Sequence, residues 1–289
     1  MSALTAATKG PEPEGTAIHR SPVRLSFRGV VWSEWLKLKT LRSTWVTLTL
    51  ATVVLVVVSA LIANHLHDEL TRPRFFIGPF GGTNVRDVER DLVTTPLHGF
   101  GLTQLIIGVL GVLAITGEYA TGMVRATFSA VPKRLPVLGA KVLVFALLGF
   151  AAMLIATLAA FFTSQAVLGH YGVSLGTGHT LRVVLLLAVY LTMIGLLGMG
   201  IGFVLRSTAG SIATLIGILL VAPGILEALG TSWATTAAHY VPLMAGQSMF
   251  ADLPSTGGDL SVVGGSITMV VWVVAAIVAA AVALVKRDV

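Results

Sequence analysis

Cysteine is absent from all 289 residues. No disulfide framework and no thiolate-based zinc or redox site can exist in this chain. Charge is scarce as well. Asp, Glu, Lys and Arg make up 11% of the residues, against about 25% in an ordinary soluble domain. There is no Gly-x-x-x-x-Gly-Lys-Ser/Thr phosphate loop, so the chain is expected not to hydrolyse ATP itself. No His-Glu-x-x-His occurs, which removes a common zinc-hydrolase pattern. An intramembrane serine hydrolase would have to join Ser211 to His239, and nothing else in the sequence orients that pair. The expectation is a protein that is not an enzyme.

What the chain does have is apolar length. Hydrophobic residues are 55% of it, and mean hydropathy is +0.90. A helix needs about 20 apolar residues to cross a hydrocarbon core of about 30 Å. Six stretches qualify, at about 44–63, 100–117, 137–165, 182–205, 210–229 and 263–285. Barrel strands would alternate apolar and polar residues. These stretches are apolar throughout, which predicts an all-α integral membrane fold with six transmembrane helices. The third is the longest, and the fourth and fifth are separated only by "RSTA".

Net charge is +6. In a soluble domain this would suggest nucleic acid. Here the distribution matters more, and no nucleic-acid partner is expected. Counted by connecting segment, fourteen of the nineteen Lys and Arg residues fall on one side of the six spans and five on the other. The positive-inside rule then puts both termini in the cytoplasm of a multi-pass protein. No cleavable signal peptide is visible, so the first span is expected to insert uncleaved.

Residues 1–22 are small, polar and Pro-rich, and are expected to be a disordered cytoplasmic tail. Residues 23–43 place Leu25, Val31, Trp32, Trp35 and Leu36 at helical spacing, with Glu34, Lys37, Lys39 and other charges between them. Tryptophan and basic residues favour the membrane interface. An amphipathic interfacial helix is predicted here, with a plain basic flank as the other reading. The six-helix domain then covers 44–289.

Its first external loop, 64–99, holds His65, His67, Asp68 and Glu69, whose spacing matches no standard zinc signature. No metal site is expected. Residues 230–262 contain no Lys or Arg and are broken by Pro and Gly. Two short half-inserted helices, near 233–240 and 243–252, are one reading; a loop resting on the outer surface is the other. In the first reading His239, Tyr240 and Gln247 face an exit path, which Gln104 and Gln165 in the spans could also touch. Such groups also commonly bond neighbouring helices. Gly198 and Gly202 form a G-x-x-x-G in the fourth span, which permits close helix contact. Lys141 and Arg182 lie in first turns and can snorkel. No clear midplane carboxylate is present, which weighs against an ion-coupled carrier.

The connection 117–136 interrupts this apolar chain with Glu118, Arg125, Lys133 and Arg134. Met123, Val124, Phe128 and Val131 add apolar contact area on the same side, suited to a partner groove. A plainer reading has Met123 and Phe128 dipping into the interface. The lead-in "SEWLKLKTLRSTW", the run "GEYATGMVRATFSAVPKRLPVLGAK" and the late "YVPLMAGQSMF" together resemble ABC-2 type permeases, the membrane subunits of bacterial ATP-binding-cassette exporters. The resemblance covers roughly residues 24–289 and is most specific at Gly117–Lys141.

It implies two permease copies in the bacterial cell membrane, bound to a dimer of separate ATPase subunits that carry ATP and Mg²⁺. This chain itself would hold no cofactor. It implies a coupling helix at Glu118 to about Pro132, so that Glu118, Tyr119, Met123, Val124, Arg125, Phe128 and Arg134 would meet the ATPase. The alternatives are an ATP-independent carrier or channel, or a non-transporting immunity or sensor subunit.

Overall fold

A computed structural model describes residues 26–71, 92–93, 95–124, 134–250 and 260–286. Among these residues there is no strand, and six helices are long and apolar enough to cross a membrane. They are α2 (Arg42–Thr71), α3 (Phe100–Ala120), α4 (Arg134–Leu168), α5 (Thr180–Leu205), the joined pair α6 (Thr208–Ile216) and α7 (Ala222–Leu229), and α10 (Val262–Lys286). Before them lies α1 (Phe27–Thr40). Between α7 and α10 lie α8 (Ser232–Ala238) and α9 (Pro242–Phe250).

Local chemistry explains the breaks. Ser26 caps α1 by accepting from the Gly29 amide at 3.2 Å. At Leu41 the backbone turns extended. The Trp45 indole then donates to the Lys39 carbonyl at 2.7 Å, satisfying an acceptor freed at the end of α1. Pro223 lacks the amide that a continuous helix would use. The turn before it, Gly217–Val221, widens to a π-helix and carries α6 into α7 as one span.

Helix α5 is the centre of the bundle. Of its apolar window 72% is buried, against 61% for α3 and only 17–28% for α2, α6–α7 and α10. The α3 and α5 backbones touch. Gly111 lies against the Gly195 carbonyl, and Gly198 against the Gly108 carbonyl. Gly202 faces Val112 at the same interface, so both glycines of the G-x-x-x-G are packing residues. Gln104 meets Tyr190 and Tyr119 meets Arg206, so the two helices run parallel.

Two helices exceed the expected spans. At 1.5 Å per residue, the 35 residues of α4 extend about 52 Å and the 30 residues of α2 about 45 Å. The start of the expected external loop, 64–71, is therefore helix. Leu66 and Leu70 continue the apolar spacing of α2 and pack with Ala63, Leu92 and Leu168 beyond the main core. The rest of that loop is outside the described residues except for 92–93 and a 3₁₀ turn at Thr95–Gly99. This turn packs on α2 at Leu55 and Ser59.

Eight of the nine described Lys and Arg residues gather at one end of the bundle: Arg28, Lys37, Lys39, Arg42, Arg134, Lys141, Arg206 and Lys286. Arg182 alone lies toward the other end.

Candidate functional site

The basic end carries an ion cluster that ties three elements together. On α1, Glu34 is 4% exposed; on α4, Lys141 is 6% exposed. The Lys141 ammonium donates to Glu34 Oε2 at 2.6 Å and to Glu118 Oε1, at the end of α3, at 2.5 Å. Lys37 joins from the rim, donating to Glu34 Oε1 at 2.8 Å and more loosely to Glu118 Oε1 at 3.4 Å. Two cations and two carboxylates thus neutralise one another in a site buried at Glu34 and Lys141 and open to the rim at Lys37. Charges in such a place persist only when paired.

Burial works against the Lys37 ammonium, but the hydrogen bond and charge of Glu34 and the charge of Glu118 more than offset it. Its pKa is raised above the ordinary lysine value. The contribution of Lys37 to docking α1 is therefore complete at neutral pH. It is lost only as pH rises through that raised value, above 10.5.

One of these assignments corrects the sequence reading. Lys141 does not snorkel; it is the buried hub of the cluster. Glu34, expected on the interfacial helix, is the residue through which that helix docks, beside Val30, which packs on Val137 and Ala140. Trp32, 62% exposed, and Leu36 point away from the protein, while Trp35 is half-buried and Lys39 exposed. One signal was available in the sequence: a lysine inside an apolar stretch needs an acidic partner if it is buried.

The other residues expected at the coupling element divide. Tyr119 lies under the Arg206 guanidinium, 5.2 Å from ring centre to Cζ. Arg206 ends α5 in the left-handed region, φ 54°, which turns the chain sharply into α6. Arg134 donates to the Leu284 carbonyl at 2.7 Å, and Arg206 approaches the Ala283 carbonyl at 3.5 Å. Both cations thus sit on the negative end of α10. Val124 is buried and Met123 exposed. Arg125 and Phe128 lie outside the described residues.

Beside the ion cluster, α1, α2 and α3 border an open cavity of about 400 Å³. Leu110, Leu113 and Ala114 form its apolar wall. Glu34, Lys37, Glu118 and Lys141 form its polar end, and Met199 of α5 lies at its back.

The residues expected along a path have separate local roles. Gln104 is buried and accepts a hydrogen bond from the Tyr190 hydroxyl, with Phe100 and Phe250 packed edge-on to that tyrosine or to each other. Gln165 bridges backbone at the other end, donating to the Leu92 carbonyl at 3.1 Å and accepting from the Val173 amide at 2.8 Å. His239 and Tyr240 sit between α8 and α9; the Tyr240 side chain is exposed and its carbonyl accepts from the Trp272 indole at 2.8 Å. Gln247 is half-buried on α9. His65 and Glu69 are one turn apart on α2, 3.9 Å between Nε2 and Oε1. Among the described residues no three His, Cys, Asp or Glu side chains are placed to hold a metal ion.

No protein-family model matches the chain, and no curated protein matches it.

Proposed function

We propose that this chain is the membrane-spanning subunit of an ATP-driven exporter, built like an ABC-2 type permease. The observation that carries the reading is the Glu34–Lys37–Glu118–Lys141 cluster. It joins α1, the end of α3 and the start of α4 on both sides of the connection 125–133. A partner pressing on that connection would move two spans and the surface helix as one body, which suits a domain-level switch.

In this reading the basic end faces the cytoplasm of a bacterial cell, and with it both termini. ATP and Mg²⁺ sit on a pair of separate ATPase subunits. A second permease copy covers part of the apolar surface of α2, α6–α7 or α10 and completes the path. The short helices α8 and α9 enter from the outer side. Gly246 of α9 lies against the Tyr190 ring, fifteen residues from the end of α5 at Leu205. That is about 22 Å, less than the hydrocarbon thickness of about 30 Å. Helices of seven and nine residues pair only part of their own backbone, so in this reading their ends are covered by protein or line a wet cavity.

Two outcomes are expected. Reporters active only in the cytosol, fused to either terminus, give signal at both ends; a silent C-terminal fusion contradicts the orientation. Arg125→Glu and Phe128→Asp each lower co-purification with a soluble ATPase by tenfold or more, about 1.4 kcal/mol, and stop transport while the chain still inserts. Unchanged ATPase binding by both variants removes the coupling role. Transport in vesicles without ATP, driven by an ion gradient, assigns a carrier instead.

A further inference from the structure

The cavity between α1, α2 and α3 has the shape and polarity of a site for a membrane lipid. On α3 its lining runs from Leu110 to Thr121. At 1.5 Å per residue this is about 16 Å, close to the depth of one hydrocarbon leaflet, half of about 30 Å. Its apolar wall includes Leu113, which is 41% exposed although it faces the cavity. In a bilayer a slot of this depth, apolar along α3 and lined by Ser43, Thr44 and Thr47 on α2, is filled by the chain of whatever amphiphile adjoins it.

Charge decides which amphiphile. The charged groups that line the polar end balance, Lys37 and Lys141 against Glu34 and Glu118, and Lys39 and Arg42 in the same stretch of α1 and α2 tip it to four bases against two acids. Lys141 is locked between both carboxylates. Lys37 is not: its side chain is 28% exposed, and its bond to Glu118 is long at 3.4 Å. It can turn an N–H toward a new acceptor while keeping Glu34. Basic residues at this level attract anionic headgroups by about 1 kcal/mol each.

We propose that the cavity binds one anionic phospholipid from the leaflet at the basic end, with an acyl chain along Leu110, Leu113 and Ala114 and its phosphate on Lys37. Lys39 and Arg42 supply the surrounding positive field. The site depends on the chain lying in a membrane and not on the exporter assignment. Lipid binding and ATPase binding therefore stand or fall separately.

The test uses the full chain, reconstituted in nanodiscs of phosphatidylglycerol and phosphatidylcholine in equal amounts. Native mass spectrometry after release reads the retained lipid. One phosphatidylglycerol per chain is expected, in preference to phosphatidylcholine. Lys37→Gln lowers that preference about tenfold, the loss of one charge-assisted hydrogen bond. Leu113→Trp fills the slot and removes the retained lipid altogether, and Ala114→Trp gives the same reading if the first variant folds poorly. Equal retention of the two lipids in the parent chain overturns the proposal. So does undiminished retention in a folded tryptophan variant, or a bound peptide or second chain in place of lipid.

Discussion

Lys141→Met is expected to destabilise the protein by about 3–5 kcal/mol. Removing this hub leaves a buried Glu34 beside a partly buried Glu118, with only Lys37 at the rim to answer both. The loss is dominated by the stranded carboxylates and not by the net strength of the ion pairs. Replacing a whole buried ionic group by apolar residues is often neutral or stabilising. The triple variant Glu34→Leu, Glu118→Leu, Lys141→Met should therefore recover most of the loss, with Lys37 turning to water.

The absence of cysteine makes the structural consequence easy to read. Ala140 is fully buried in the small apolar cluster that includes Val30 of α1. An Ala140→Cys probe reacts slowly with a polar thiol reagent while α1 is docked. It should react at least tenfold faster in the Lys141→Met background. Equal labelling in both backgrounds would show that α1 is held by something other than this cluster.

The second large effect lies at the α3–α5 contact. A Cβ at Gly111 would fall 1.9 Å from the Gly195 carbonyl oxygen, and one at Gly198 would fall 2.2 Å from that of Gly108. The obstacle in both cases is backbone, which no rotamer change relieves. Gly111→Leu must force apart the two most buried spans, and should cost at least the ~1–3 kcal/mol of an overpacked core. The expected result is loss of the monodisperse folded protein in mild detergent. Gly111→Ala should show the smaller form of the same defect, as a lower thermal midpoint. Gly101, on the same helix, is the control. A Cβ there meets nothing within 4 Å, so Gly101→Ala should be neutral or stabilise by about 0.5–1 kcal/mol through helix propensity alone. Equal responses at Gly101 and Gly111 would contradict the contact.

The positions of the six spans were legible in the sequence to within a few residues at most ends. So was the clustering of basic residues at one end; two short helices before α10 were one of two readings left open there. The extension of α2 to Thr71 was hidden by polar residues: His65, Asp68 and Glu69 lie toward the outside and His67 packs on Tyr171, while Leu66 and Leu70 continue the apolar face. The candidate site was only half visible. Glu118 and Lys37 stood out as charges in an apolar chain, but each was read by itself, as part of a turn or of a surface helix.

Sequence by itself therefore determined the class of the protein and its sidedness in charge. Crossing a bilayer depends on length and apolarity, and these add up along a segment whatever its neighbours are. Tertiary structure alone decided which charges are partners. Glu34 and Lys141 are 107 residues apart, and their pairing depends on α1 folding back across the start of α4. Likewise Gly111 and Gly198 became critical, and Gly101 did not, only when α3 and α5 were brought into backbone contact. Burial and pairing are properties of meeting surfaces, and no single segment carries that information.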